Sequence, residues 1–275
     1  MDIAFIDLAA LVAFLLVVGA VAGVLAGLLG VGGGIVIVPA LFYVFTGLGF
    51  PDATLMHVCV ATSLATIVLT SARSVASHNK KGAVDWDMLK SWAPFIAVGA
   101  VLGVIAADRL RSDSLMLVFG VMAMIVALHM AFGRESWRLG DNPPEGGSKG
   151  AWATGVGFMS VLMGIGGGTF GVPLLSLYGV AVHRAVATAA GFGLIIAVPS
   201  VIGFVLSGMA APDRPEFTLG YIHVPAFAII VPMTVLCAPL GVKLAHSLNP
   251  RPLKLLFAFF LAVTALNMLR RALYG

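Results

Sequence analysis

Three consecutive glycines stand inside an apolar stretch at two places in this chain, GLLGVGGGIVIVP at 27–39 and VLMGIGGGTFGVP at 161–173. Each glycine destabilises a helix interior by about 1 kcal/mol relative to alanine, so such a run ends one helix and begins another. The breaks lie in a membrane-type sequence: 60% of the 275 residues are hydrophobic and 10% charged, with a mean hydropathy of +1.06. That exceeds what one soluble core of this length needs. Apolar runs near 8–28, 34–49, 54–72, 88–107, 114–132, 151–163, 169–180, 184–206, 221–243 and 252–269 predict an all-α polytopic membrane protein. Most approach the roughly 20 residues that a crossing needs. The two that follow the glycines are short. The N-terminal MDIAFIDLAA has no Lys or Arg, unlike a cleaved signal peptide, so the first run is expected to be retained.

The halves align. At an offset of 134, Gly30 meets Gly164, Gly32 to Gly34 meet Gly166 to Gly168, and Pro39 meets Pro173. At an offset of 126, HVCVATS (57–63) lies on HRAVATA (183–189), and at 138 the match runs from Gly82/Gly220 to Met130/Met268. This predicts a tandem repeat, 1–132 and 151–275, with five hydrophobic segments each. The polar, Gly- and Pro-rich stretch 133–150 is the loop between them. Five crossings per copy would invert the second relative to the first, with the Gly-broken half-helices meeting at the midplane. With the N-terminus outside, eleven of the sixteen basic residues fall in cytoplasmic loops, as the positive-inside rule requires, although Arg270 and Arg271 fall on the other side. Equivalent loops also exchange charge: RSVASHNKKG is basic, and its counterpart SGMAAPDRPEFTLG is slightly acidic. Glycine-initiated segments that re-enter without crossing are the alternative.

Paired, interrupted segments of this kind mark a secondary transporter with its substrate between the copies. The half-helix after each break presents free backbone N–H groups and the positive end of its dipole, which attract an anion. Close helix packing is the competing use of the same glycines. All twelve Asp and Glu, among them Asp2, Glu135 and Asp213, lie in loops or at segment ends. A cation pathway or carboxylate relay would place one within a span. The candidate binding residues are therefore Gly32, Gly33, Gly34, Gly166, Gly167 and Gly168, with hydroxyls from Thr62, Ser63, Thr66, Thr188 and Thr169. Hydroxyls in membrane helices also bond back to their own backbone. His57 and His183 are repeat-equivalent candidates for coupling or anion entry, or else interfacial caps. Arg73 and Arg184 would draw an anion to the entrance or anchor the topology. His78, His223 and His246 read as boundary residues, and Cys59 and Cys237 as small core groups.

GLLGVGGGIVIVPAL, HVCVATSLATIVLTSARSVASHNKKGAVDW, GIGGGTFGVPLL and ATAAGF together resemble the TauE/SafE family of sulfite exporters, also called four-toluene-sulfonate uptake permeases. The resemblance covers nearly the whole chain. It implies multi-pass transport across the bacterial inner membrane of a small anion such as sulfite, thiosulfate or an organosulfonate. Perfect symmetry fails at Ser63/Ala189 and Ile35/Thr169, so the half-sites should contribute different side chains.

An anion of charge −1 leaving a negative interior gains about 2.3 kcal/mol per 100 mV, which favours export. Proton-coupled uptake of another small organic anion is the alternative, with His57 and His183 the symmetric titratable pair. No cofactor, catalytic residue, metal ligand set or nucleic-acid partner is expected; the lipid bilayer is the surrounding partner, and a homo-oligomer stays open. An enzyme reading fails on its motifs: GGGTFG fits a dinucleotide pattern without the strand–turn–helix context, and no GxSxG stretch is present. A receptor or assembly subunit that only holds a ligand is separated from a carrier by flux.

Overall fold

The computed structural model describes residues 5–30, 32–133, 137–211, 214–245, 247 and 250–274; Asp2, Glu135, Asp213 and His246 lie outside them. The fold is all-α: α1 (Phe5–Leu29), α2 (Gly34–Gly47), α3 (Asp52–Asn79), α4 (Trp86–Arg109), α5 (Ser112–Phe132), α6 (Gly146–Met163), α7 (Gly168–Leu177), α8 (Val182–Met209), α9 (Val224–Ala245) and α10 (Pro250–Tyr274). The described strands are β1 (Thr218–Leu219) and β2 (Ile222–His223), paired antiparallel ahead of α9. Each apolar run became one helix. Seven of the described helices are long and apolar enough to cross a membrane, and α2 and α7 are shorter. Helix α6 begins at Gly146, inside the stretch read as loop. Ser148 Oγ donates to the Glu145 carbonyl there, at 2.7 Å, and helps start a helix among glycines.

Helix α3 is the centre: 83% of its most apolar window is buried, against 28% for α9. The outer helices instead turn large apolar groups outward, among them Phe14, Val98, Ile125, Ile202 and Leu236. In lipid such groups need no cover, and tight association comes from small residues that let backbones approach. Gly19, Gly23 and Gly27 of α1 sit against the carbonyls of Ile230, Thr234 and Ala238 of α9, so these two helices run parallel. Helices α4 and α6 are parallel for the same reason, with Gly99 on the Thr154 carbonyl and Gly103, one turn on, on that of Phe158.

These contacts recur at the offsets of the alignment. Gly23 faces the Thr234 carbonyl and Gly157 the Ile96 carbonyl; Gly241 faces that of Val24 and Gly103 that of Phe158. Helices α3 and α8 run antiparallel. Ser71 lies beside Gly193 at their middle. Arg184, at the start of α8, pairs with Asp85 just beyond the end of α3, and the ring of His57, near the start of α3, meets that of Tyr221 beyond the end of α8 in a tilted contact. Helix α2 returns along the first half of α3. It starts at Gly34 beside Ile67 and ends at a turn of four residues leading into Asp52. At 1.5 Å per residue its 14 residues span about 21 Å, roughly two-thirds of a bilayer core of about 30 Å.

Candidate functional site

The two breaks meet at the middle of the molecule. A Cβ built on Gly32 would stand 3.2 Å from Gly166 Cα, and one on Gly34 would strike the Gly164 carbonyl. Gly30 rests on the Val186 carbonyl, and Gly164 on that of Val60. Helix α2 starts from Gly33, whose left-handed backbone (φ 81°) turns the chain sharply, and α7 starts from Gly167 at φ −63°. Neither start has a side-chain cap among the described residues. The first amides of both half-helices, which lack intrahelical acceptors, are therefore left to other partners. Close packing and free amides thus coexist at the breaks.

The hydroxyls divide into three groups. Ser63 Oγ donates to the Gly164 carbonyl at 2.7 Å and satisfies the end of α6 from α3. Thr66 Oγ1 donates back to the Ser63 carbonyl at 2.7 Å. Thr62 of α3 and Thr188 of α8 pack against the starts of other helices, α9 and α4: Thr62 Oγ1 accepts from the His223 amide at 2.9 Å, and Thr188 Oγ1 from the Asp85 amide at 3.0 Å. Asp85 and His223 are themselves equivalent caps. Asp85 Oδ1 accepts from the Met88 amide at 3.0 Å, and His223 Nδ1 from the Ala226 amide at 3.2 Å. Burial between Phe45 and Phe50 pushes the His223 imidazole down to about 4, so it caps as the neutral ring. Thr169, in the first turn of α7, is 4% exposed, and its hydroxyl has no hydrogen-bond partner among the described residues.

The entrance candidates occupy unlike surroundings. His57 is buried, its Nε2 donating to the Ala107 carbonyl at 3.0 Å, with Nδ1 unpartnered among the described residues. His183 is exposed. Arg184 is exposed and forms a 2.9 Å ion pair with Asp85. Arg73 points outward into an apolar groove with Leu69, Ala76, Val231 and Leu236. The motif reading missed Ser71, which is 1% exposed, has an unpartnered Oγ among the described residues and lies beside Gly193. Its repeat counterpart is Ala197, so repetition gave no signal there.

Residues 15–268 match the family described as sulfite exporter TauE/SafE. The chain belongs to that family. It is 34% identical over 253 residues to a probable membrane transporter protein of Haemophilus influenzae, covering 92% of this chain and 96% of that protein. It is 27% identical over 260 residues to one of Methanocaldococcus jannaschii, with coverage of 94% and 96%. A third such protein, from Bacillus subtilis, is 29% identical over 187 residues, 59% of this chain and 66% of its own length. No solved structure matches. A TauE/SafE member with these relatives and these apolar helices is a multi-pass membrane transporter.

Proposed function

We propose that this protein is a secondary carrier that exports a small sulfur oxyanion, sulfite or an organosulfonate, across a bacterial inner membrane. The observation that carries the reading is the convergence of two uncapped half-helix starts, at Gly33 and Gly167, on the Gly32–Gly166 contact. Backbone amides and dipole ends attract an anion there without a cationic side chain. Among the described residues no Asp or Glu is buried, which suits an anion better than a cation. The two copies are read as inverted, 1–132 against 151–275 with 133–150 between them. Antiparallel α3 and α8, together with the matched pairs α1–α9 and α6–α4, support that reading. Rocking of one copy against the other would then expose the centre to each side in turn.

Purified protein in liposomes loaded with sulfite tests this. A potassium diffusion potential, negative inside, should accelerate sulfite efflux, and empty liposomes should show no such response. Binding without flux would identify a receptor. A second reading, proton-coupled uptake, rests on the buried His57, whose Nδ1 has no partner among the described residues. Accumulation driven by a pH gradient alone, lost in His57→Gln, would select it.

A further inference from the structure

The two half-helix starts are alike in backbone and unlike in what surrounds them. At the start of α2 the repeat-equivalent positions are Ile35, Ala197 and Ile67. The Ile67 side chain fills the space beside the first break, with Cγ2 3.2 Å from where a Cβ on Gly32 would lie and Cδ1 2.9 Å from one on Gly34. At the start of α7 the same three positions are Thr169, Ser71 and Gly193. Gly193 carries no side chain at the position matching Ile67, and the Ser71 hydroxyl takes its place. A Cβ on Gly193 would collide with Ser71 Oγ and would stand 3.6 Å from the Gly167 amide nitrogen, so hydroxyl and amide flank one point. Thr169 belongs to the first turn of α7, where side chains lean toward the N-terminus. Ser71 and Thr169 are 1% and 4% exposed, and both hydroxyls are without partners among the described residues. Buried hydroxyls left unpaired are costly, and their pairing with a ligand removes that cost.

We infer that the charged head of the anion docks at the start of α7, on Ser71 Oγ, Thr169 Oγ1 and the Gly167 amide, and not at the start of α2. The inference rests on the carrier reading above and says which half-site holds the head. Hydrogen-bond donors without a cation also set the charge class. Arg73, two residues from Ser71, faces outward, and the desolvation cost of an ion grows with the square of its charge. The site therefore takes singly charged oxyanion heads, such as hydrogensulfite or a monosulfonate, and rejects sulfate.

The test uses the full-length protein in liposomes at pH 6.5, with radiolabelled sulfite as the probe and methanesulfonate or sulfate as competitor. Ser71→Ala with Thr169→Val should raise the apparent KM for sulfite about tenfold or more, the loss expected when hydrogen bonds to a charged group are removed. Ile35→Thr with Ala197→Ser, the mirror substitutions, should stay within about twofold of wild type. Methanesulfonate should compete at concentrations where sulfate does not. Should the double variant fail to insert, the single variants and the rescuing Thr169→Ser give the same readout. An unchanged KM in the hydroxyl variants, a larger effect from the mirror pair, or equal competition by sulfate overturns the inference while leaving the carrier reading standing. Wild-type protein that moves neither sulfite nor methanesulfonate overturns both.

Discussion

Gly32 and Gly166 face each other across the centre of the molecule, so close that a side chain on the first would stand 3.2 Å from the Cα of the second. The glycines proposed to offer amides to an anion are thus also those through which the two halves touch. A bulky substitution such as Gly33→Leu would strike the Ala22 carbonyl at 2.7 Å and would force a leucine into left-handed backbone. It therefore tests folding together with transport.

The glycines should accordingly separate by surroundings. Gly34→Ala, which meets the Gly164 carbonyl, should lower the melting temperature in detergent by the equivalent of about 1–3 kcal/mol of overpacking. Gly155→Ala, in α6 with open space around it, should be neutral or stabilise by about 0.5–1 kcal/mol. Equal melting temperatures for the two variants would count against the packing described.

Inversion predicts labelling from opposite sides. Lys80 and Glu216 are both exposed, beyond the ends of α3 and α8 respectively, and those helices run antiparallel. In vesicles of known orientation, Lys80→Cys should react with an impermeant maleimide only from the cytoplasmic face, and Glu216→Cys only from the other. Labelling of both from one side would refute the inverted arrangement.

The paired threonines should matter for stability more than for substrate affinity. Thr62→Val and Thr188→Val would each leave a backbone amide, of His223 or Asp85, without its acceptor, at a cost of about 1–3 kcal/mol. Thermal unfolding should register the loss, and the sulfite KM should change by less than about threefold. A KM effect as large as that of the Ser71 variant would move the binding site toward Thr62 or Thr188.

His223 should make stability depend on pH. Its folded value, near 4, lies below the ordinary imidazole value of 6.5, so the folded state disfavours the proton. The stabilisation by the neutral cap is complete above pH 6.5, shrinks as pH falls from 6.5 toward 4, and is gone below that. His223→Asp supplies a carboxylate acceptor like the one Asp85 provides at the equivalent position. Melting curves between pH 7 and 4.5 should be flatter for this variant than for wild type, and parallel curves would mean that the cap contributes nothing.

The sequence by itself determined the ten apolar elements, the two interruptions and the membrane setting. These follow from hydropathy and from the helix-breaking of glycine, which act locally and need no neighbours. Repetition also brought out Thr62 and Thr188 as equivalents, and the contact each makes is equivalent too. What each residue does depended on what lies across from it, and that comes from helices distant in sequence. Thr62 spends its hydroxyl on a helix start because β2 is folded against α3. His57 is buried and His183 exposed because a repeat constrains sequence while each copy meets a different neighbour. Ser71 has an alanine, Ala197, at its repeat position, so repetition did not single it out. Only the packing of α3 against α8 places its hydroxyl beside a glycine and the start of α7 while an isoleucine closes the matching space on the other side.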